Sequence, residues 1–382
     1  MSFLDTIGAF GGGVVTYLLP FLFVLTIVVF FHELGHFLVA RWCGVKIDTF
    51  SIGFGPEITG FYDGHGTRWR LSWIPLGGYV KFHGDDSVAS SADAEALTQL
   101  SEEERKTSFH FKSISQRAAI VAAGPVANFI LAIAIFAVIF ATIGKFVTPP
   151  KVDAVAPDSA AAAAGFEPGD IVLSISGEPI DSFADMQRIV SISPGMPLKF
   201  EVDRGGARIE LTATPELREV TDRFGSTHRI GLLGIQRSAQ PDEISQVRYS
   251  IPGAVWEGTK ETWFVVQRTV SYLVGVIAGR EAADQLGGPI RIAEMSGEVA
   301  KLGFLALMNL TAILSISIGF LNLIPIPMLD GGHLLFYGIE AVRGRPLSDR
   351  AMDIGFRVGL ALVLMLMLFA TWNDIVSIAS RS

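Results

Sequence analysis

Long apolar stretches separated by ordinary polar sequence set out the organisation of the chain. Val14–Ala40 is almost wholly apolar, as are Ala118–Ile143, Phe304–Leu329 and, with its flanks, Val358–Trp372. A helix needs roughly 20 such residues to cross the hydrocarbon core of a bilayer, so the pattern predicts four membrane-spanning helices. No Lys or Arg precedes Arg41. The first stretch therefore lacks the basic start of a cleavable signal peptide and reads as a retained helix. Trp256–Ala278 carries Glu257, Lys260, Glu261 and Arg268 among its apolar residues. It is expected to lie in the membrane interface, within an amphipathic connector over residues 250–300.

Between the first two spans the period changes. In "TRWRLSWIPLGGYVKF", Trp69, Leu71 and Trp73 alternate with Arg68, Arg70 and Ser72, a period of two that predicts a strand with one apolar and one polar face. Pro75 with Gly77 and Gly78 suits a turn. The expectation is a membrane-associated β-hairpin whose apolar face dips into the interface, with a strand edge near Gly77–Val80. Residues 85–104 are acidic and rich in Ser and Ala, and are expected to be mobile.

Lys151 to about Arg237 has the composition of a small soluble domain. "KVDAVAP", "DIVLSISG", "LKFEVDR", "ARIELTATP" and "RIGLLGI" read as strands, and "SFADMQRIV" as a helix. "GFEPGDIVLSISGEPI" resembles the core of a PDZ domain in the permuted order of bacterial envelope proteases. Such a domain binds extended chain along a sheet edge, and "RIGLLGI" is the candidate edge. The basic residues place this domain. Arg41 to Arg117 supply many Lys and Arg between spans one and two, and Arg343, Arg345 and Arg350 lie between spans three and four. The positive-inside rule puts both loops in the cytoplasm, and both termini and residues from Lys145 to about Gly303 outside.

The 382 residues are half hydrophobic, with a mean hydropathy of +0.44 and a net charge of −8. With no basic patch, nucleic-acid binding is not expected. Cys43 is the sole cysteine, so no intrachain disulfide can form.

Against that background "HELGH", residues 32–36, stands out inside the first apolar run. A charged group at mid-membrane costs roughly 2.5–3.5 kcal/mol, so three polar residues in five positions need a ligand to hold. On a helix His32 and His36 share a face and can bind one zinc through imidazole nitrogens. Glu33 lies about 100° round the helix from His32, placed to take a proton from a water the zinc activates rather than to ligate. A catalytic zinc wants a third protein ligand. Asp330 and His333 stand in "GFLNLIPIPMLDGGHLL", where Pro325 and Pro327 interrupt a helix; irregular backbone at that depth is tolerated where it lines a polar cavity. At about 1.5 Å per residue His36 lies roughly 8 Å before Arg41, and Asp330, near the inner end of span three, falls at a similar level.

"HELGH", "GPVAN" at 124–128, the PDZ-like insert and "NLIPIPMLDGG" at 322–332 together resemble the RseP-type bacterial site-2 proteases, intramembrane zinc metalloproteases, over nearly the whole chain. The resemblance implies a polytopic α-helical membrane protein: a catalytic core in residues 1–145 and 303–382, and an inserted α+β PDZ domain, residues 151–237, in the periplasm. It implies zinc held by His32, His36 and Asp330, with Glu33 catalytic. It further implies substrate held by Asn322 and by the β-loop, near Gly77, Gly78, Tyr79 and Val80. The implied substrates are single-span membrane proteins in the bacterial inner membrane, trimmed first by an upstream site-1-type protease, and signal-peptide remnants. Relatives often carry two PDZ domains; this chain has room for one. A zinc-dependent transporter would show inverted repeats, which are absent, and a silent PDZ scaffold would have no need of Glu33. Asn128 either lines the site or packs helices.

Overall fold

The computed structural model describes residues 3–84, 101–221, 227–238, 240, 243–279 and 287–379. The stretch expected to be mobile lies largely outside them. The chain forms two compact units, residues 1–136 with 286–382, and residues 137–285.

In chain order the helices are α1 (Phe3–Trp42), α2 (Glu102–Thr107), α3 (Ile114–Thr142), α4 (Ala160–Ala164) and α5 (Phe183–Ser191). They continue with α6 (Ile251–Ile277), α7 (Pro289–Lys301), α8 (Phe304–Leu323), α9 (Asp330–Arg343) and α10 (Asp349–Ala379). Among the described residues four are long and apolar enough to cross a membrane: α1 over Val15–Trp42, α3, α8, and α10 over Arg350–Ala379. These are the four stretches expected. The third ends at Leu323 instead of Leu329, because the chain unwinds before Pro325 and restarts at Asp330. Proline disfavours the helical region for the residue before it, and Ile324 is extended, with φ −63° and ψ 136°.

In the first unit the strands β1 (Ile47–Tyr62) and β2 (Arg68–Phe82) pair more than once: 47–54 with 74–82 and 57–62 with 68–72 run antiparallel, while in the pairing of 49–52 with 68–71 both residue numbers rise together. Phe50 lies opposite both Val80 and Trp69, and Ile52 opposite both Gly78 and Leu71. Farther out, Thr59 pairs with Leu71 and Tyr62 with Arg68. Both strands are thus bent, and the hairpin becomes a sheet whose order across is 57–62, 68–72, 49–52, 78–82. Gly53 makes the bend in β1: its φ is +88°, and a Cβ there would lie 2.8 Å from the Ile74 carbonyl oxygen.

An aromatic cluster fastens this sheet to α1. The ring of Phe50 lies 5.4 Å from Phe37 and 4.3 Å from Trp69, and Trp69 lies 5.0 Å from Phe37. Burial of each such side chain contributes roughly 1.5–3 kcal/mol. The alternation of Trp69, Leu71 and Trp73 is there, but the face it makes is not uniform. Trp69 packs in the core, whereas Leu71 is 40% and Trp73 67% exposed, because the strand runs out beyond α1. Ser72, on the other face, is buried and shares a hydroxyl contact with Ser51. The tight turn between the strands is tied back to α1: the Asp63 carboxylate accepts the backbone N–H groups of His65 and Thr67, the Trp69 indole N–H and an N–H of Arg41.

The connector expected over residues 250–300 holds two helices, and the compact units divide between them, α6 in one and α7 in the other. The α7 N-terminus is capped from α10: the buried carboxylate of Asp374 accepts the Gly288 and Arg291 backbone N–H groups at 2.9 and 3.0 Å.

The second unit has a four-stranded antiparallel sheet, in spatial order Glu178–Pro179, Ile171–Ile175, Leu198–Arg204, Ala207–Ala213. Val172, Ile175, Met186, Val190, Phe200 and Val202 belong to its core, joining the sheet to α5. The run "RIGLLGI" is not one strand. Gly234, at φ +84°, splits it: Thr227–Leu232 pairs with Glu216–Thr221, and Ile235–Gln236 pairs with Ala154–Val155. Helix α4, "AAAAA", was not anticipated; the Ser159 hydroxyl caps it and Gly165 ends it in the left-handed region. Asp170 lies fully buried at the head of strand Ile171–Ile175, accepting two N–H groups of Arg204 at 2.7 and 2.8 Å and the Glu167 backbone N–H. Burial pushes its pKa up, but the guanidinium and the backbone donor outweigh burial and hold it below its ordinary value.

A depressed carboxylate contributes stability above its ordinary pKa of about 3.9, and that stability is lost as the pH falls below it. Asp170→Asn is expected to destabilise this unit by about 2 kcal/mol at neutral pH, less than for a fully buried pair because Arg204 is partly exposed. Amide exchange in strand Leu198–Arg204, corrected for intrinsic rates, should quicken below about pH 4 in the wild type more than in the variant. An equal response would show that Asp170 does not carry this acid sensitivity.

Candidate metal centre

The site begins at a close helix crossing. A Cβ at Gly35 would lie 2.2 Å from the Ala123 carbonyl oxygen, and one at Gly124 would lie 2.2 Å from His36 Nε2. Helix α3 therefore passes directly over the "HELGH" turn of α1, and only the absence of a side chain at Gly124 leaves room for the His36 ring. The signal for this was present in "GPVAN", but its use as a seat for an imidazole was not foreseen.

Asp330 comes from the other side. It is the first residue of α9, after the unwound segment 324–329. That segment is shaped by glycines on either hand. Cβ atoms at Gly331 and Gly332 would meet the carbonyl oxygens of Ile324 and Ile326 at 2.3 and 2.4 Å, and one at Gly359 of α10 would meet that of Pro327 at 2.0 Å. Met328 sits at φ +84°, a conformation that costs an L-residue energy and persists where its surroundings enforce it. Toward the other end of α9, Glu340 accepts an N–H of Arg117 at 2.7 Å, tying α9 to α3.

The structure brings His32, His36 and Asp330 together: one ligand atom from each lies within 4.8 Å of the others. His32 Nε2 is 3.2 Å from His36 Nε2 and 3.1 Å from Asp330 Oδ2, and His36 Nε2 is 3.6 Å from Asp330 Oδ1. His36 Nδ1 donates to the Ile120 carbonyl at 2.9 Å, which leaves its Nε2 with a lone pair facing the cluster. Asp330 Oδ2 is buried without a hydrogen bond. Lone pairs and a carboxylate converging on one point, with one carboxylate oxygen orphaned, fit a divalent cation, and two imidazoles with one carboxylate are a donor set for zinc that leaves a fourth position open. His333 is outside this group; its ring lies against Phe356 at 5.4 Å.

Glu33 is turned toward the sheet. A Cβ at Gly78 would lie 3.1 Å from Glu33 Cγ, and the Val80 backbone N–H faces the Glu33 carboxylate. Of the four β-loop positions singled out, Gly78 and Val80 thus lie beside Glu33. Gly77 and Tyr79 are associated instead with Phe54: the Tyr79 ring stacks on it at 6.0 Å, and a Cβ at Gly77 would strike it. Asn322 occupies the last turn of α8, half-buried, just before the unwound segment.

Comparison with known proteins decides the family. Residues 20–366 match the model for peptidase family M50. The chain belongs to peptidase family M50. It is 49% identical over 98% of its length to a protein of Agrobacterium fabrum that carries a zinc metalloprotease name, covering 100% of that protein. It is 43% identical to metalloprotease MmpA of Caulobacter vibrioides, over 95% of this chain and 96% of that one. To zinc metalloprotease RasP of Geobacillus kaustophilus it is 32% identical, over 94% and 97%. Among solved structures, the PDZ domain of an SdrC-like protein from Listeria monocytogenes is similar to 21% of this chain and 82% of its own, at 20% identity and a TM-score of 0.17. The protein is a site-2-type zinc metalloprotease, and among its described residues four helices are long and apolar enough to cross a membrane.

The Gly124 seat has a direct consequence for the metal. Gly124→Ala places a methyl group where His36 Nε2 lies, so zinc per chain, by elemental analysis, is expected to fall severalfold. Gly338→Ala, where a Cβ meets nothing within 4 Å, should keep its zinc. Equal zinc in both proteins would mean that His36 does not need this seat.

Proposed function

We propose that this protein is an intramembrane endopeptidase that cuts membrane-spanning segments of single-span proteins. The observation that carries the reading is the cluster of His32, His36 and Asp330 with Glu33 beside it, within and next to helices long and apolar enough to span a bilayer. His32, His36 and Asp330 hold the metal, which when bound supplies Lewis acidity toward a peptide carbonyl and toward water.

Glu33 acts as the general base. Its carboxylate takes the proton of the attacking water and passes it on to the leaving amide nitrogen. The Val80 N–H facing it fixes the direction in which the carboxylate points. A helical substrate has its peptide bonds internally hydrogen-bonded and must unwind before attack. The segment 78–82 is an edge of the sheet, paired on one side with 47–52, and its other edge is the place for an extended substrate strand. Asn322, beside the unwound segment, is the second point of hold.

The basic loops favour an orientation with the site toward the cytoplasm and residues 151–237 in the periplasm of a bacterial inner membrane, both termini outside. Substrates reach the protein after an upstream site-1-type protease has trimmed their outer domains, and signal-peptide remnants belong to the same class. The insert, folded as a PDZ domain, then serves as a filter that excludes untrimmed substrates.

Glu33→Gln is nearly isosteric and leaves the ligands in place. Zinc content should be unchanged while cleavage of a single-span substrate in detergent falls by about a hundred- to ten-thousand-fold, the range of a lost general base. Full turnover with normal zinc would remove Glu33 from the mechanism.

The filter has its own test. Gln236 pairs with Ala154, so the ends of the insert lie side by side and a short Gly/Ser bridge can replace it. The deletion should admit untrimmed substrate while trimmed substrate is cut about as before. Slower cutting of the trimmed form with no gain for the untrimmed one would identify a recruiting domain instead.

A further inference from the structure

The two imidazoles of the cluster are held from behind by different groups. His36 Nδ1 meets a backbone carbonyl, that of Ile120, which can only accept. His32 Nδ1 meets the side-chain amide of Asn128, its Nδ2 3.3 Å away. Asn128 is fully buried, and its Oδ1 has no hydrogen-bond partner. Its backbone is pinned: the carbonyl accepts the Ser315 hydroxyl of α8 at 2.9 Å, and a Cβ at Gly319 would lie 3.0 Å from the Asn128 Cβ. A half-turn of its amide exchanges Oδ1 and Nδ2 without changing the space filled.

With Nδ2 donating to His32 Nδ1, the imidazole carries its proton on Nε2, the nitrogen that faces Asp330 and His36. A metal ligand needs a lone pair there, so the proton must stand on Nδ1. An amide nitrogen would then oppose an N–H, donor to donor, while Oδ1 stayed buried and unpaired. The half-turn resolves both conflicts: Oδ1 accepts the Nδ1–H, and the buried oxygen gains its partner.

We infer that Asn128 is a positioning residue for His32, its amide oxygen holding the proton on Nδ1 so that Nε2 is free for the metal. This rests on the metal-centre reading above. Nothing in this role needs contact with substrate. Groups that hold a metal-ligating histidine from behind in this way typically contribute about 10–100-fold to metal affinity.

The test is zinc affinity of the full chain in detergent, by competition with a chelator of known strength. Asn128→Leu keeps the volume and removes the acceptor; its zinc affinity is expected to fall about 10–100-fold. Asn128→Asp places a carboxylate oxygen against Nδ1–H and should bind zinc at least as tightly as wild type. A residue that merely packs α3 against α8 would be harmed more by a buried charge than by Leu, so the order of the two variants decides. Affinity of the Leu variant within about twofold of wild type, or an Asp variant as weak as Leu, overturns the inference. If circular dichroism shows the Leu variant unfolded, Asn128→Ala takes its place against Asp. His36→Ala separates the two claims: if wild type binds no zinc, or His36→Ala binds it as well, the metal centre itself is misassigned.

Discussion

Two imidazole nitrogens 3.2 Å apart with a buried carboxylate at 3.1 and 3.6 Å make an arrangement that a protein interior resists unless something positive joins them. Burying such groups without partners costs several kcal/mol each. The rest of the first unit reads as the framework that enforces this convergence. Helix α1 provides both histidines on one face, the glycine crossing at Gly35 and Gly124 presses α3 over them, and the broken segment after α8 delivers Asp330 from a third direction. Each device removes a side chain or a turn of helix, lowering local stability to gain a fixed position for a polar atom.

The broken segment illustrates how that cost is contained. Residues 324–329 leave helical geometry beside apolar helices, where unpaired backbone is most expensive. The chain answers with short internal bonds, Ile324 accepting from Ile326, Ile326 from Leu329, and Leu329 from Gly332. Glycines on both sides let helix backbones close directly on its carbonyls. Asp330 then sits at the start of α9, where the helix dipole favours a carboxylate. The strained φ of Met328 is held by this enclosure.

Much of this was legible in the sequence, and the rest was hidden for definite reasons. The four apolar stretches and "HELGH" announced themselves because apolar runs and i, i+4 pairs are local signals. The break after α8 was visible in its two prolines, but its exact start was not, since a proline marks a boundary without saying on which side the helix frays. The double pairing of β1 and β2 was invisible: a period of two fixes which face is apolar and not how many partners a bent strand finds, so Trp69 ends in the core while Trp73 on the same face stays outside. "RIGLLGI" looked continuous because its composition is, yet the left-handed Gly234 ends one pairing and begins another. In sequence Asn128 fits lining the site and packing helices equally; its buried amide against His32, with Oδ1 unpaired, is what favours positioning.

The sheet ties the proposed chemistry to the proposed substrate. Segment 78–82 presents its edge to Glu33 through Val80 and takes its own position from Phe50 and Trp69 against Phe37 of α1. The Arg41–Asp63 link holds the far turn of the same sheet to the end of α1. A strand that binds extended substrate on such an edge would therefore also set where the base points. With the Val80 N–H facing the carboxylate, loss of that donor would act on Glu33, the proposed base, and on the edge together. An edge that a substrate strand completes, beside a base that the same edge aims, would couple unwinding to proton transfer without any moving part: only a chain already extended along 78–82 would present its peptide bond where Glu33 is directed.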